Sequence, residues 1–210
     1  MIQPFDEPTR RKIAERCAAF ARLPASEPAP ALKRAAVAIA LVEVGDGSDG
    51  TALLLTLRAA GLRAHRSQWA LPGGRCYEGE TPVMAALREL HEELGLELRP
   101  VDVLGLLDDY PTRSGYLITP VVVWAARSAV ISPNPEEVAS VHRIALDDIK
   151  REDAFSFTTI PESTRRVIRF RHAGQFIHAP TAALIYQFRE VLGGRDTRVV
   201  DLEQPVFAWK

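Results

Sequence analysis

Short apolar blocks separated by turn residues run through most of the chain, and the period of each block predicts an element. Residues 35–44 (A-A-V-A-I-A-L-V-E-V) and 51–57 (T-A-L-L-L-T-L) are aliphatic runs of strand length joined by G-D-G-S-D-G. That join is turn chemistry, so a hairpin is predicted. The two acids in it lack the ligand spacing and terminal Glu of a calcium loop. Residues 101–107 and 116–126 are further strand candidates around the polar loop D-D-Y-P-T-R-S-G-Y, the second so apolar that a central place is predicted. A short strand is predicted to follow the loop carrying Glu136 and Glu137, and another to span Arg165 to Arg171. Helical spacing appears in three places. Residues 6–22 put Ile13, Cys17 and Phe20 on one stripe, to be packed on the body or on a second subunit as a homodimer. Residues 180–192 put Ala183, Ile185, Phe188 and Leu192 on one face, followed by Gly193-Gly194.

The third helix, residues 81–94, has Thr81 placed to cap its start, Pro82 at its first position and Gly95 to end it. At about 100° per residue, Val83, Leu87, Leu90 and Leu94 fall on one side and Glu89, Glu92 and Glu93 on the other. Like charges three and four residues apart oppose a helix by about a few tenths of a kcal/mol per pair. Two readings fit: a solvated acidic face, or a platform for a hard divalent cation such as Mg²⁺, which takes carboxylate oxygens and bridges to phosphates.

Composition narrows the class. With 210 residues, 47% of them hydrophobic, one globular domain with a sizeable core is expected. The prolines of residues 23–34 make a connector, so residues 1–34 are expected to be an accessory helix and linker, and residues 35–210 the domain. Lys and Arg number 26 against 27 Asp and Glu, a formal charge of −1, which offers no field for long nucleic acid or an anionic membrane. Two cysteines, Cys17 and Cys76, fit a reducing compartment, and Cys76 has no neighbour that would make it a nucleophile. There is no apolar run of the ~18 residues that spanning requires, and the opening M-I-Q-P-F-D-E lacks a secretory pattern, so the expected place is the cytoplasm. The five histidines show no metal-ligand spacing.

The stretch from residue 74 to residue 96 settles more than the helix alone. Gly74, Glu80, Arg88, Glu89, Leu90, Glu92, Glu93, Gly95 and Leu96 match G-x5-E-x7-R-E-U-x-E-E-x-G-U, U being a bulky aliphatic, at every fixed position. The chain therefore resembles the Nudix hydrolases. The resemblance implies an α/β fold, an α/β/α sandwich on a mixed β-sheet, and hydrolysis of a phosphoanhydride in a small-molecule substrate with Mg²⁺ or Mn²⁺. It implies metal ligands at Glu89, Glu92, Glu93 and the carbonyl of Gly73, and a further carboxylate from the later loop, for which Glu137 is the choice. Arg88 is expected to orient a carboxylate, with Glu80 its partner. Glu89 and Glu137 are both eligible as general base.

Ahead of the helix, Arg58, Arg63 and Arg66 crowd a loop leading to Pro72-Gly73-Gly74. Arginines beside a carboxylate cluster suit phosphate contact by bidentate hydrogen bonds, or balance the local acid. Leu54, Leu55, Thr56, Arg58, Ala59, Arg63, Pro72, Gly73 and Gly74 also fit the L-L-T-x-R-[SA]-x3-R-x3-G-x3-F-P-G-G signature of the coenzyme A diphosphatase branch. Ser67 stands in place of its Gly and Leu71 in place of its Phe. The resemblance extends through L-D-D-Y-P-T-R-S-G-Y and the closing F-I-H-A-P-T-A-A-L-I-Y, covering residues 35–192. It implies coenzyme A or acyl-CoA as substrate. The alternatives are ADP-ribose or another nucleoside diphosphate derivative, a nucleoside triphosphate, or a non-catalytic binding or regulatory module. The last would be expected to have lost box carboxylates. Tyr110, Tyr116 and Trp69 are candidates to stack on adenine, or to serve as core or rim.

Overall fold

The computed structural model describes residues 3–23, 32–61 and 67–209. The predicted hairpin forms as β1 (Lys33–Glu43) and β2 (Thr51–Arg58). Two short strands the periodicity did not reveal, β3 (Trp69–Ala70) and β4 (Gly73–Arg75), follow. The acidic helix is α2 (Pro82–Leu94), and α1 (Glu7–Ala19) precedes the sheet. Beyond α2 come β5 (Val103–Leu106), β6 (Tyr110–Pro111), β7 (Tyr116–Trp124) and β8 (Val138–Ala145). After them lie a short helix α3 (Leu146–Lys150) and a separate sheet of β9 (Phe155–Ile160), β10 (Ser163–His172) and β11 (Gln175–His178). The helix α4 (Thr181–Leu192) follows. Only the middle strand of that second sheet was expected from the sequence; β9 and β11 pair with it antiparallel on either side.

The main sheet is mixed. Nine successive residues of β1 pair in parallel with β7, from Lys33↔Tyr116 to Leu41↔Trp124, whereas β2 runs antiparallel to both β1 and β8. The pairing also shows how a cleft opens. β8 takes one edge of β2 along its whole length, so β1, paired at residues 51–53, and β3, paired at 56 and 57, must share the other edge. By the same logic β2 and β4 share the free edge of β1, at residues 41–43 and 35–37. Strands β1 and β2 therefore part beyond Leu41 and Leu53, and the β3–β4 segment fills the wedge.

The alternation in β1 sorts the two faces. Ala36, Ala38 and Ala40 face α2, with Leu90, Leu94 and Leu96 against them, while Ile39 and Leu41 face the larger core that includes Ile13, Phe188 and Phe170. Three alanines on one face let α2 approach the sheet closely. Helix α1 packs on the same chain: Ile13, Cys17 and Phe20 are buried, and a Cβ on Gly105 would come within 2.6 Å of the Cβ of Cys17. With α2 on one face and α1 and α4 on the other, the layers are α/β/α. Among the described residues no helix is long and apolar enough to cross a membrane.

Candidate active site

Helix α2 starts as its sequence requires. The Thr81 hydroxyl accepts from the Met84 amide at 3.2 Å, Pro82 occupies the first turn, and Gly95 ends the helix in the left-handed region at φ +66°. Its faces differ from the expected division. The buried residues are Ala85, Ala86, Leu90, Glu93 and Leu94, and Val83 and Leu87 are only half-buried. The buried arc thus runs through Glu93 and not opposite to it. A helical wheel drawn from the leucines alone misplaces that arc, because the alanines contribute to it and the wedge of β3 and β4 lies beside it.

Glu93 is 2% exposed. Its Oε1 lies 3.5 Å from Nη1 of Arg58 at the end of β2, and its Oε2 is buried with no hydrogen-bond partner. Burial pushes its carboxyl up to about 8, against the pull of Arg58 and with the push of Glu89 and Glu137. Glu89 is shifted upward too, again chiefly by burial. Both glycines of the wedge are there for space. A Cβ on Gly73 would lie 2.6 Å from the Cα of Val37, and one on Gly74 would overlap the carboxylate of Glu89.

Arg88 ties the rest together. Its Nε and Nη2 donate to the two oxygens of Glu80 at 2.9 and 3.1 Å, Nη1 to Glu89 and Glu92 at 2.8 Å each, and Nη2 to the Arg75 carbonyl at 3.0 Å. The same pairing holds the Glu80 carboxyl below its usual range. The Tyr77 ring stacks on the guanidinium at 4.1 Å, a contact sequence reasoning missed although Tyr77 sits three residues before Glu80. Glu137 stands at the mouth of β8, its carbonyl accepting from the Ala59 amide at 2.9 Å, which fixes that loop beside Arg58. Asn134, also unforeseen, reaches Glu137 Oε1 at 3.4 Å.

The structure thus brings Gly73, Glu89, Glu93, Glu137 and Arg58 together, with Arg88 alongside. Glu92 sits at the exposed edge of that group: its side chain is 46% exposed and shares Nη1 of Arg88 with Glu89. Arg63 and Arg66 lie outside the described residues. Of the aromatic candidates, Tyr110 is core, its hydroxyl donating to the Leu202 carbonyl at 2.6 Å. Trp69 packs edge-on against His142 and His172, and Tyr116 lies under Arg75 at 5.2 Å. Burial and Glu80 raise the Cys76 thiol, which fits a structural role.

Among the described residues no three acidic, histidine or cysteine side chains already converge as a metal cage. The donor set still fits a hard divalent cation: carboxylate oxygens only, one of them buried and unpartnered, with the Gly73 backbone beside it. Arg88 at present occupies the space between Glu89 and Glu92.

Comparison with known proteins decides the family. The NUDIX domain model matches residues 32–162, which is more than half the chain. The chain belongs to the Nudix hydrolase family. It is 36% identical over 143 residues to an uncharacterized Nudix hydrolase, NudL, of Pectobacterium atrosepticum, covering 64% of this chain and 72% of that protein. It is 33% identical over 156 residues to Nudix hydrolase 3 of Caenorhabditis elegans, covering 68% of this chain and 64% of that one. In fold it is similar to a MutT/nudix family protein from Enterococcus faecalis, with a TM-score of 0.56 at 17% identity, over 90% of this chain and 75% of the other. As a Nudix hydrolase the protein is an enzyme of a family that generally uses divalent metal ions.

Proposed function

We propose that this Nudix hydrolase cleaves the diphosphate linkage of coenzyme A or acyl-CoA, giving 4′-phosphopantetheine or its acyl form and adenosine 3′,5′-bisphosphate. The observation that carries the reading is the backbone at Ser67. This residue replaces the glycine of the coenzyme A signature, yet it keeps a left-handed φ of +51°, the conformation for which glycine is the usual choice. Leu71, in place of the signature's Phe, is buried at 3% exposure in the larger core, so its substitution is apolar for apolar in a packed slot. Both departures thus preserve what the pattern asks of the fold.

The chemistry needs charge neutralisation on the diphosphate and a positioned water. Glu89, Glu92, Glu93 and the Gly73 carbonyl would hold a divalent cation, which would supply that neutralisation. Glu89 and Glu137 face the same space as Glu93 and are the groups to accept the proton of the attacking water. That water's oxygen forms the new P–O bond as the bridging P–O bond breaks, and the bridging oxygen leaves on the other phosphate. Arg88 positions Glu89 and does not touch substrate. Arg58, whose Nε is buried and unpartnered, is the described arginine of the loop nearest the carboxylates, and Arg63 and Arg66 extend the same cationic segment in sequence. Cytoplasmic location and action on a small molecule without long nucleic acid complete the reading.

The test is a substrate panel with Mg²⁺ or Mn²⁺: coenzyme A, acyl-CoA, ADP-ribose, NADH and nucleoside triphosphates, resolved by product. Coenzyme A or acyl-CoA should be the preferred substrate. Rapid turnover of ADP-ribose with coenzyme A untouched would overturn the reading.

A further inference from the structure

A second cavity of about 450 Å³ opens beside the N-terminal end of α2, under the loop joining β4 to that helix. Its walls carry Lys33 and Arg34 from the start of β1, Arg75 from the end of β4, and Tyr77, Glu78 and Glu80 from the loop. Its charge is unbalanced. Glu80 is committed to Arg88 through both oxygens, leaving three cations against Glu78. Neither Lys33 nor Arg75 has a carboxylate within ion-pair distance among the described residues. Arg34 has one acidic neighbour, Asp109, whose Oδ2 lies 3.9 Å away with no hydrogen-bond partner of its own, while the other oxygen of Asp109 accepts from Arg22 at 2.8 Å and from the Thr119 hydroxyl. Three like charges with so little acid around them leave a place for an external anion. One aromatic ring borders them: Tyr77, 63% exposed, keeps an open face although Arg88 covers the other, while Tyr116 is half-buried beneath Arg75.

The cavity is joined to the carboxylate cluster. Arg75 is two residues beyond Gly73 on the same strand, about 7 Å along it. Arg88 bonds Glu89 on one side and the Arg75 carbonyl on the other. The nucleoside half of a ligand whose diphosphate sits at Glu89 and Glu93 would have to run along β4 to meet Lys33, Arg34 and Arg75.

We propose that the Lys33–Arg34–Arg75 cavity binds a phosphomonoester carried on the nucleoside half of the substrate, with the open face of Tyr77 against the base. This deepens the coenzyme A reading and rests on it: the group held there is the phosphate that distinguishes adenosine 3′,5′-bisphosphate from AMP. Arg75 and Arg34 are specificity-determining residues, and the loop arginines are left to the diphosphate.

Calorimetric titration of the full chain with adenosine 3′,5′-bisphosphate and with AMP tests this without turnover. The wild-type protein should bind the bisphosphate at least about tenfold more tightly, as two charge-assisted contacts would give. Arg75→Ala and Arg34→Ala should each cut that preference to about threefold or less, with Arg75→Gln as the substitute should the alanine variant misfold by circular dichroism. Arg151→Ala, an exposed arginine paired with Asp153, should keep the full preference. Equal binding of the two nucleotides by the wild type, or a preference that survives both substitutions, overturns the proposal. So does binding of inorganic phosphate alone at the bisphosphate's affinity, which would make this a free-phosphate site. Coenzyme A left uncleaved in the substrate panel while the bisphosphate preference tracks Arg75 would sink the substrate reading and leave the phosphomonoester site standing.

Discussion

Two glutamates of this enzyme are equally buried and behave in opposite ways. Glu93 and Glu203 are each 2% exposed, and each lies next to one arginine. Glu203 accepts from Arg113 through both oxygens, at 3.1 and 2.5 Å, from the Ser163 hydroxyl at 2.8 Å and from the Gln204 amide at 3.0 Å. Arg113, with those further donors, holds its carboxyl down at about 2. Glu93 has one guanidinium at 3.5 Å, two nearby carboxylates and an oxygen with no partner, and burial holds its carboxyl up at about 8. Low solvent exposure alone therefore does not decide the charge state: Glu93 lies deeper among protein atoms and meets fewer donors, and the two effects act together. A fully satisfied carboxylate is part of the scaffold, whereas an under-satisfied one beside glycine backbone is poised for a ligand the chain does not itself provide.

The largest effect should separate the two residues by function. Mn²⁺ should raise the Tm of the wild type, and Glu93→Gln should abolish that rise and lower kcat at least about 100-fold, with an unchanged circular dichroism spectrum. Full activity in that variant would place the metal elsewhere. Gly74→Ala strikes the same cluster from the backbone side. Its new methyl group overlaps the Glu89 carboxylate, so activity should fall about 10-fold to 100-fold in steady-state assays, with a smaller loss of stability.

Glu203→Gln should show the reverse pattern: an unchanged kcat for the folded enzyme, and a loss of about 1–3 kcal/mol in urea unfolding at pH 7. The folded carboxyl lies below its ordinary value of 4.5, so the contribution is complete above that pH and is lost as pH falls through about 2. The gap between wild type and variant should accordingly narrow between pH 4 and pH 2, and a constant gap would mean that Arg113 is not its source. The smallest effect belongs to the loop. Ser67→Gly relieves a left-handed serine and should raise stability by about 0.5–1 kcal/mol; a loss would show that the Ser side chain makes a contact worth more than the backbone strain.

Much of the fold was legible because its signals are local. The hairpin β1–β2, the apolar strand β7, and the capped and glycine-terminated α2 each announce themselves within a dozen residues. The strands β3 and β4 did not, since two or three residues carry no period, and their partners come from the parting of β1 and β2. The outer strands of the second sheet were hidden for a similar reason: hairpin pairing with β10 makes them strands. At the site, Arg88 with Glu80 was readable from the box, but the stacking of Tyr77 and the contrast between exposed Glu92 and buried Glu93 were not.

By itself the sequence determined the family and its carboxylate chemistry, because nine fixed positions in one local string specify them together. Tertiary structure alone decided which acid is buried without enough donors, and which arginine has no acid beside it among the described residues. Charge and hydrogen-bond balance are sums over groups far apart in the chain. Glu93 meets Arg58 from 35 residues away, and Arg75 lies beside Lys33 only because β4 docks on β1 in the wedge.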